Sequence, residues 1–295
     1  MQIGPTVADI LVGQNPKCDP NIHVIRRMMR HYAAAVNNAL IARDAELLSV
    51  LYEEAELLPY TQTTRELSAL GTGYVLDGLL INGNDSLNIC FKDGVPYVLK
   101  VLNASEYDRV KAWKEAASES RESCRYIVTF DAVNVNKKYF IFMPMYPITL
   151  ESLSVMDTKV LHRFYCQMRD ALSFFHRLKF AHMDFKPANI LITGDGDFIL
   201  ADLGSVIRMG QRSESTKAFL PRELWDRGRS SPIASATVDW WMMAVTVCEK
   251  ACGYRSGSGP ESAKKDDIKA MLKELGDVEE NKEWVGQLLG YLSNN

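Results

Sequence analysis

Short apolar runs, separated by turn residues, dominate the stretch between residues 74 and 145. Each run is four to eight residues long and is bounded by glycine, asparagine, aspartate or charged residues, which is typical of strands. The pattern predicts five strands: Tyr74 to Ile81, Leu87 to Phe91, Pro96 to Leu102, Tyr126 to Val133 and Tyr139 to Met145. Because short polar connections join successive strands, we expect an antiparallel sheet.

Helical spacing appears once within this strand-rich stretch and again after it. Between Ser105 and Glu122, apolar residues recur every three or four positions, and the run from Val238 to Val245 is apolar enough for a buried helix. Further helices are predicted around Glu261 to Leu275 and Asn281 to Leu292. The sequence therefore predicts a small sheet followed by a mainly helical region.

The first sixty residues form a separate helical pattern. Ile25, Met28, Tyr32, Val36 and Leu40 lie three or four residues apart, and a similar pattern continues to Pro59. These spacings predict one or two amphipathic helices. They either pack on the body of the protein or dock a partner, and the pattern leaves both roles open.

Composition describes an ordinary globular chain. Its 295 residues are 47% hydrophobic and 24% charged, with a net charge of −3, so we expect neither nucleic acid nor a membrane as a partner. The six cysteines lack metal-ligand spacing, and no apolar stretch has the length of a membrane span or the form of a signal peptide. We therefore expect reduced thiols and a cytoplasmic or nuclear location.

The strongest chemical signal is the segment from His182 to Asn189, followed thirteen residues later by the triplet that begins at Asp202. Two apolar runs joined by a polar loop separate these motifs, so they are expected at the ends of one hairpin. Carboxylate and amide oxygens are ligands that Mg²⁺ prefers, and a lysine can neutralise a phosphate. The spacing predicts a site for phosphoryl transfer.

These two motifs resemble the catalytic and metal-binding loops of eukaryotic protein kinases of the serine/threonine type. The resemblance implies that Asp184 accepts the proton of the attacking hydroxyl and that Lys186 steadies the γ-phosphate. It also implies that Asn189 and Asp202 hold Mg²⁺.

The strand around Lys100 resembles the third strand of that family, whose lysine contacts the α- and β-phosphates of ATP. In the family this lysine pairs with a glutamate of the next helix. The resemblance favours Glu115 for that role, with Glu119 as the alternative one helical turn later.

The resemblance also implies an adenine pocket. Met143 would lie at its back, the backbone of Met145 would face the edge of the base, and Val98 and Leu191 would form its roof and floor.

The loop that covers the phosphates lacks a full glycine motif. Gly83 lies at the better distance from Lys100, whereas Gly71 and Gly73 give the better local match. We favour Gly83, and the alternative stays open.

Downstream, Thr216 to Glu223 resembles the end of a kinase activation segment. The resemblance implies that Thr216 contacts Asp184 and Lys186, and that Asp239 binds the backbone of the catalytic loop. Met183 stands where many kinases have arginine, so we expect that activity does not depend on phosphorylation of the activation segment.

Together these observations predict an α+β, bilobal protein-kinase-like fold. Its parts are a helical N-terminal extension at residues 1–62, an N-lobe at 63–145 with a five-stranded antiparallel sheet plus one helix, and a shortened, mainly helical C-lobe at 146–295. The predicted function is transfer of the γ-phosphoryl group of ATP, with Mg²⁺, to Ser or Thr hydroxyls of protein substrates. Two alternatives are a catalytically weak nucleotide-binding scaffold that regulates a partner and a small-molecule kinase on a related fold.

Overall fold

The computed structural model describes residues 75–80, 87–92, 95–135, 137–146, 148–153, 155–193, 195–212, 215–221, 232–254 and 265–293. The predicted N-terminal helices and all three candidate phosphate-loop glycines lie outside these residues. The chain divides into two compact units, Met1–Tyr107 with Thr129–Ile148, and Asp108–Val128 with Thr149–Asn295.

An antiparallel sheet forms the described part of the first unit. Its strand order is β1-β2-β3-β5-β4. The strands are β1 (Val75–Leu80), β2 (Leu87–Lys92), β3 (Val95–Leu102), β4 (Asp131–Val135) and β5 (Lys138–Pro144). Lys92 of β2 pairs with Val95 of β3, and Val135 of β4 pairs with Lys138 of β5, so each of these strand pairs stays in register to its end.

One face of this sheet forms the core of the unit. Leu99 of β3 pairs with Phe142 of β5, and both side chains are buried in a cluster with Cys90 and Phe140. Because side chains alternate along a strand, Val98 and Lys100 lie on the opposite face.

The second unit is mainly helical. Helix α1 (Ala104–Ser120) begins in the first unit and ends in the second. The further helices are α2 (Thr158–Arg177), α3 (Ala236–Cys252), α4 (Lys265–Gly276) and α5 (Lys282–Ser293). The short strand β6 (Ile148–Thr149) begins at the unit boundary and precedes α2. Four more short strands lie between α2 and α3: β7 (Phe180–Ala181), β8 (Ile190–Ile192), β9 (Phe198–Leu200) and β10 (Ile207–Arg208). None of the helices that the structure describes is long and apolar enough to cross a bilayer.

Helices α2 and α3 form the centre of this unit. The side chain of Asp157 caps α2 by accepting hydrogen bonds from the amides of Lys159 and Val160. The apolar face of α2 is fully buried, whereas α3 is buried on almost every side. Gly253 ends α3 in a left-handed conformation with φ 69°, which glycine adopts without strain.

The predicted strand from Tyr126 to Val133 is wrong in its first half. Strand β4 begins only at Asp131. Ile127 instead forms an isolated parallel bridge with Leu200 of β9, and the amide of Val128 donates to the Leu200 carbonyl over 2.9 Å. The first half of this run therefore pairs with β9, whereas the second half, β4, pairs with β5.

Candidate active site

Asp239, in the first turn of α3, supports the loop that precedes Asp184. Its carboxylate accepts hydrogen bonds from the amides of His182 and Met183, each over 2.8 Å, and contacts Nε2 of His176 at 2.9 Å. The Asp239 side chain is completely buried, and Met183 has the left-handed φ of 65°. The predicted contact between Asp239 and this loop is confirmed, and it stabilises a backbone shape that residues other than glycine seldom adopt.

Asp184 lies at the centre of a polar network. Oδ1 accepts hydrogen bonds from the hydroxyl of Thr216 over 2.5 Å and from its amide over 3.3 Å. Oδ2 lies 2.8 Å from Nζ of Lys186 and also accepts from Nδ2 of Asn189 over 2.8 Å. Nζ of Lys186 donates to Oγ1 of Thr216 over 2.8 Å, which closes a triangle of three side chains. The structure therefore brings together four of the residues that the sequence singled out.

The charges around Asp184 keep its carboxylate ionised. Burial raises the pKa of Asp184, but the positive charge of Lys186 and hydrogen bonds from Lys186 and Thr216 outweigh burial, so the pKa is lowered. At neutral pH the group is a carboxylate with a fixed orientation. Such a group can accept a hydrogen bond from a hydroxyl.

The hairpin of β8 and β9 places Asn189 beside the turn that carries Asp202. The amide of Ala201, the residue before Asp202, donates to the Asn189 carbonyl over 2.9 Å. Ile190 pairs with Leu200, so the two strands begin and end together. The motifs therefore lie at one end of the hairpin, as predicted.

The oxygen donors at this end of the hairpin fit a magnesium ion. Nδ2 of Asn189 donates to the carbonyl and to Oδ2 of Asp184, so Oδ1 is the atom of this amide that remains to act as an oxygen ligand. Asp202 adds a carboxylate on the adjacent turn. An amide oxygen and a carboxylate suit Mg²⁺, which takes the rest of its shell from water and phosphate oxygens.

The remaining predicted nucleotide contacts divide between the two units. In the first unit, Val98 pairs with Met143 and Lys100 pairs with Ile141, so these four residues share one face of the sheet. Lys100 is half-buried, and Met143 is buried.

Met145 follows β5 and is half-buried. In the second unit, Leu191 lies half-buried on β8 and pairs with Ile199. The roles of these residues toward a nucleotide stay predictions.

Glu115 lies on the exposed side of α1. Its side chain is 63% exposed and lies 3.8 Å from the ammonium of Lys111. An α-helix turns about 100° per residue, so Glu115 lies about 160° from the buried Trp113, and Glu119 is exposed as well. The role of Glu115 as partner of Lys100 stays a prediction.

Sequence reasoning missed two residues that support the site. Nε and Nη2 of Arg109, on α1, donate to the carbonyl of Gly204 over 3.1 and 2.7 Å. His176, at the end of α2, contacts Asp239. Helical spacing identified the buried face beside Arg109, but a contact to a backbone carbonyl leaves no trace in the sequence.

The fold and the site together define a class of protein. A sheet-containing unit precedes a helical unit, and a buried Asp-Lys-Thr-Asn network in the latter lies beside an Asp-Leu-Gly turn, which is the arrangement of a phosphotransferase. The chain belongs to the protein kinase domain family, whose sequence model matches residues 86–287.

The chain is similar to curated protein kinases at low identity. The chain is 31% identical to the human serine/threonine-protein kinase 32B over 37% of its length and 28% of that protein. It is 26% identical to the cAMP-dependent protein kinase catalytic subunit of Dictyostelium discoideum over 64% of its length and 30% of that protein. It is 24% identical to the Rho-associated protein kinase let-502 of Caenorhabditis briggsae over 53% of its length and 14% of that protein. The matches therefore span less than a third of each of these relatives.

Proposed function

We propose that this protein transfers the γ-phosphoryl group of ATP, with Mg²⁺, to serine or threonine hydroxyls of protein substrates. The observation that carries the proposal is the closed network of Asp184, Lys186 and Thr216, with Asn189 and the Asp202 turn beside it. The network supports the proposal because it brings a carboxylate, an ammonium group and a hydroxyl into contact, as transfer to a hydroxyl requires.

Asp184 is suited to receive the proton of the attacking hydroxyl. Its lowered pKa keeps it ionised, and the hydrogen bonds from Thr216, Lys186 and Asn189 fix the direction of the carboxylate. Because phosphoryl transfer has a loose transition state, positioning and neutralisation of charge account for most of the catalysis. Lys186 supplies a positive charge within 2.8 Å of the carboxylate.

Asn189 and Asp202 would hold the metal ion. When bound, Mg²⁺ neutralises charge on the phosphate oxygens. The buried Asn189 amide is held by Asp184, so the metal ligand and the proton acceptor are fixed relative to each other.

A pocket beside the catalytic loop supports a protein substrate. Its volume is about 610 Å³, and it is lined by the catalytic loop from Lys186 to Ala188 and by Ala218 and Phe219, which follow Thr216. The rest of its wall is formed by residues at the end of α3 and by Glu151, Ser152, Leu153 and Val155. A polypeptide segment lying there would pass beside Lys186 of the catalytic loop, so we favour a protein substrate over the small-molecule alternative.

Thr216 supports specificity for Ser and Thr. Its hydroxyl joins Asp184 to Lys186, and the motif that carries Lys186 two residues after Asp184 is of the serine/threonine type. The name of one relative, the human serine/threonine-protein kinase 32B, agrees with this proposal.

The experiment uses the purified chain with γ-labelled ATP, Mg²⁺ and mixed protein substrates, followed by phosphoamino-acid analysis. Asp184→Asn and Asp202→Ala should abolish labelling, whereas Asp266→Asn, at an exposed position in the first turn of α4, should not change it. Label on serine or threonine supports the proposal. Label on tyrosine overturns the specificity, and label that persists in Asp184→Asn overturns the assignment of the site.

The same preparation tests the scaffold alternative. If Mg²⁺ and ATP raise the melting temperature of the wild-type chain but no protein becomes labelled, the protein is a nucleotide-binding regulator.

A further inference from the structure

Arg109 connects helix α1 to the turn that carries Asp202. Nε and Nη2 of Arg109 both donate to the carbonyl oxygen of Gly204, over 3.1 and 2.7 Å. Two donors of a planar guanidinium on one oxygen fix the direction of the contact as well as its length. Arg109 and Gly204 are 95 residues apart in the sequence, so the contact is purely tertiary.

The packing of α1 holds Arg109 at this turn. Trp113 lies one helical turn after Arg109 and packs on Phe175 of α2, with 5.0 Å between the ring centroids. Phe175 in turn meets the ring of His182 edge-on, at 5.8 Å. Val110 is fully buried beside them. The same helix face therefore buries apolar side chains and presents the guanidinium.

Asp202 adopts a backbone conformation that needs support. Its φ is 57° and its ψ is 65°, in the left-handed region that residues other than glycine seldom occupy. On the upstream side, Nε2 of His182 donates to the carbonyl of Ala201 over 2.8 Å. On the downstream side, a short 3₁₀ turn, Leu203–Ser205, contains the carbonyl that Arg109 binds. Asp202 therefore lies between two peptides that are each held by a side chain.

We propose that Arg109 is a positioning residue for Asp202. By holding Gly204, it keeps the turn in the conformation that directs the Asp202 carboxylate to the magnesium ion, and this last step depends on the proposed function. A lysine at this position could supply one hydrogen bond but not the paired donors of the guanidinium.

The chain offers a matched control. Arg163, on α2, also donates to a glycine carbonyl, that of Gly196 in the β8–β9 loop, over 2.8 Å. This contact is exposed and lies away from the Asp202 turn along the chain. Arg163→Met removes the same chemistry without touching the turn.

The first measurement is hydrogen exchange of the protein without nucleotide or metal. In Arg109→Met, the amides from Leu203 to Val206 should exchange about tenfold faster, the change that the loss of one charge-assisted hydrogen bond produces. Arg109→Lys should give an intermediate rate, and Arg163→Met should leave these amides unchanged. If these amides exchange at the wild-type rate in both Arg109 variants, the proposal is overturned.

The second measurement is the Mg²⁺ dependence of binding of a fluorescent ATP analogue. Arg109→Met should raise the Mg²⁺ concentration for half-maximal binding about tenfold, while binding in the absence of metal is unchanged. An equal loss with and without metal would overturn the role toward Asp202 and indicate a general structural role. If Arg109→Met does not fold, Arg109→Lys carries both measurements.

The two proposals fail separately. If the wild-type chain binds no nucleotide under any condition, the proposed function fails, but the exchange experiment still decides whether Arg109 holds the turn.

Discussion

Removing the carboxylate of Asp239 should destabilise the protein strongly, because that one side chain satisfies two buried amides. Asp239→Ala leaves the amides of His182 and Met183 without their acceptor and removes the partner of His176. An unsatisfied buried donor costs about 1–3 kcal/mol, and breaking a buried charged network costs about 3–5 kcal/mol. We expect the free energy of unfolding to fall by roughly 4 kcal/mol.

Urea denaturation followed by tryptophan fluorescence measures this change, and the melting temperature should fall by about 8–16 °C for a unit of this size. Asp239→Asn keeps one carbonyl oxygen but turns an amide group toward a backbone donor, so its loss should be roughly half as large. The control is Asp170→Ala, because Asp170 is exposed and pairs with the neighbouring Arg169, and exposed pairs of this kind contribute about 0–1 kcal/mol. If Asp239→Ala costs no more than this control, the argument that Asp239 supports the catalytic loop is refuted.

Three further predictions concern the network and the thiols. Thr216→Ala should lower kcat about tenfold or more without a matching loss of stability, because the hydroxyl that joins Asp184 to Lys186 is lost. Thr216→Ser keeps this hydroxyl and should restore the rate. An unchanged rate in Thr216→Ala would contradict the role of Thr216 in the network. Because the pKa of Asp184 is lowered in the folded protein, its ionised carboxylate stabilises the fold at pH values above the ordinary pKa of a carboxyl group. This stabilisation is lost as the pH falls through the pKa of the folded state. The stability difference between wild type and Asp184→Asn, measured by urea titration, should therefore be pH-independent near neutrality and change only in acid; a change centred near pH 7 would exclude this origin. Burial raises the pKa of Cys90 to about 12, so a thiol reagent followed by mass spectrometry should modify the exposed Cys252 in the native protein and Cys90 only after unfolding.

Local spacing predicted the parts of the site that lie close together in sequence. The apolar residues between Ser105 and Glu122 predicted a helix, and α1 runs from Ala104 to Ser120 with Val110 and Trp113 buried. The catalytic segment and the turn at Asp202 lie at one end of a hairpin because two three-residue strands connect them. Periodicity and turn chemistry carry this information directly.

The pairing of residues that lie far apart in the sequence was not predictable in the same way. The run from Tyr126 to Val133 is mostly apolar, and hydrophobicity alone does not show that Ile127 pairs with Leu200 while Asp131 begins a strand in the other sheet. Arg109 binds a backbone carbonyl, which every residue possesses, so no residue type in the sequence marks its partner.

Met183 shows how the catalytic loop is supported without a surface charge. Its side chain is fully buried and its thioether carries no charge, so it cannot pair with a phosphate on the activation segment. The neighbouring amides are held instead by Asp239 on a helix that is buried along most of its length. The carboxylate of Asp184 is oriented by Lys186, Thr216 and Asn189. Because none of these contacts involves a phosphate, the order of the described catalytic loop arises from the core of the second unit.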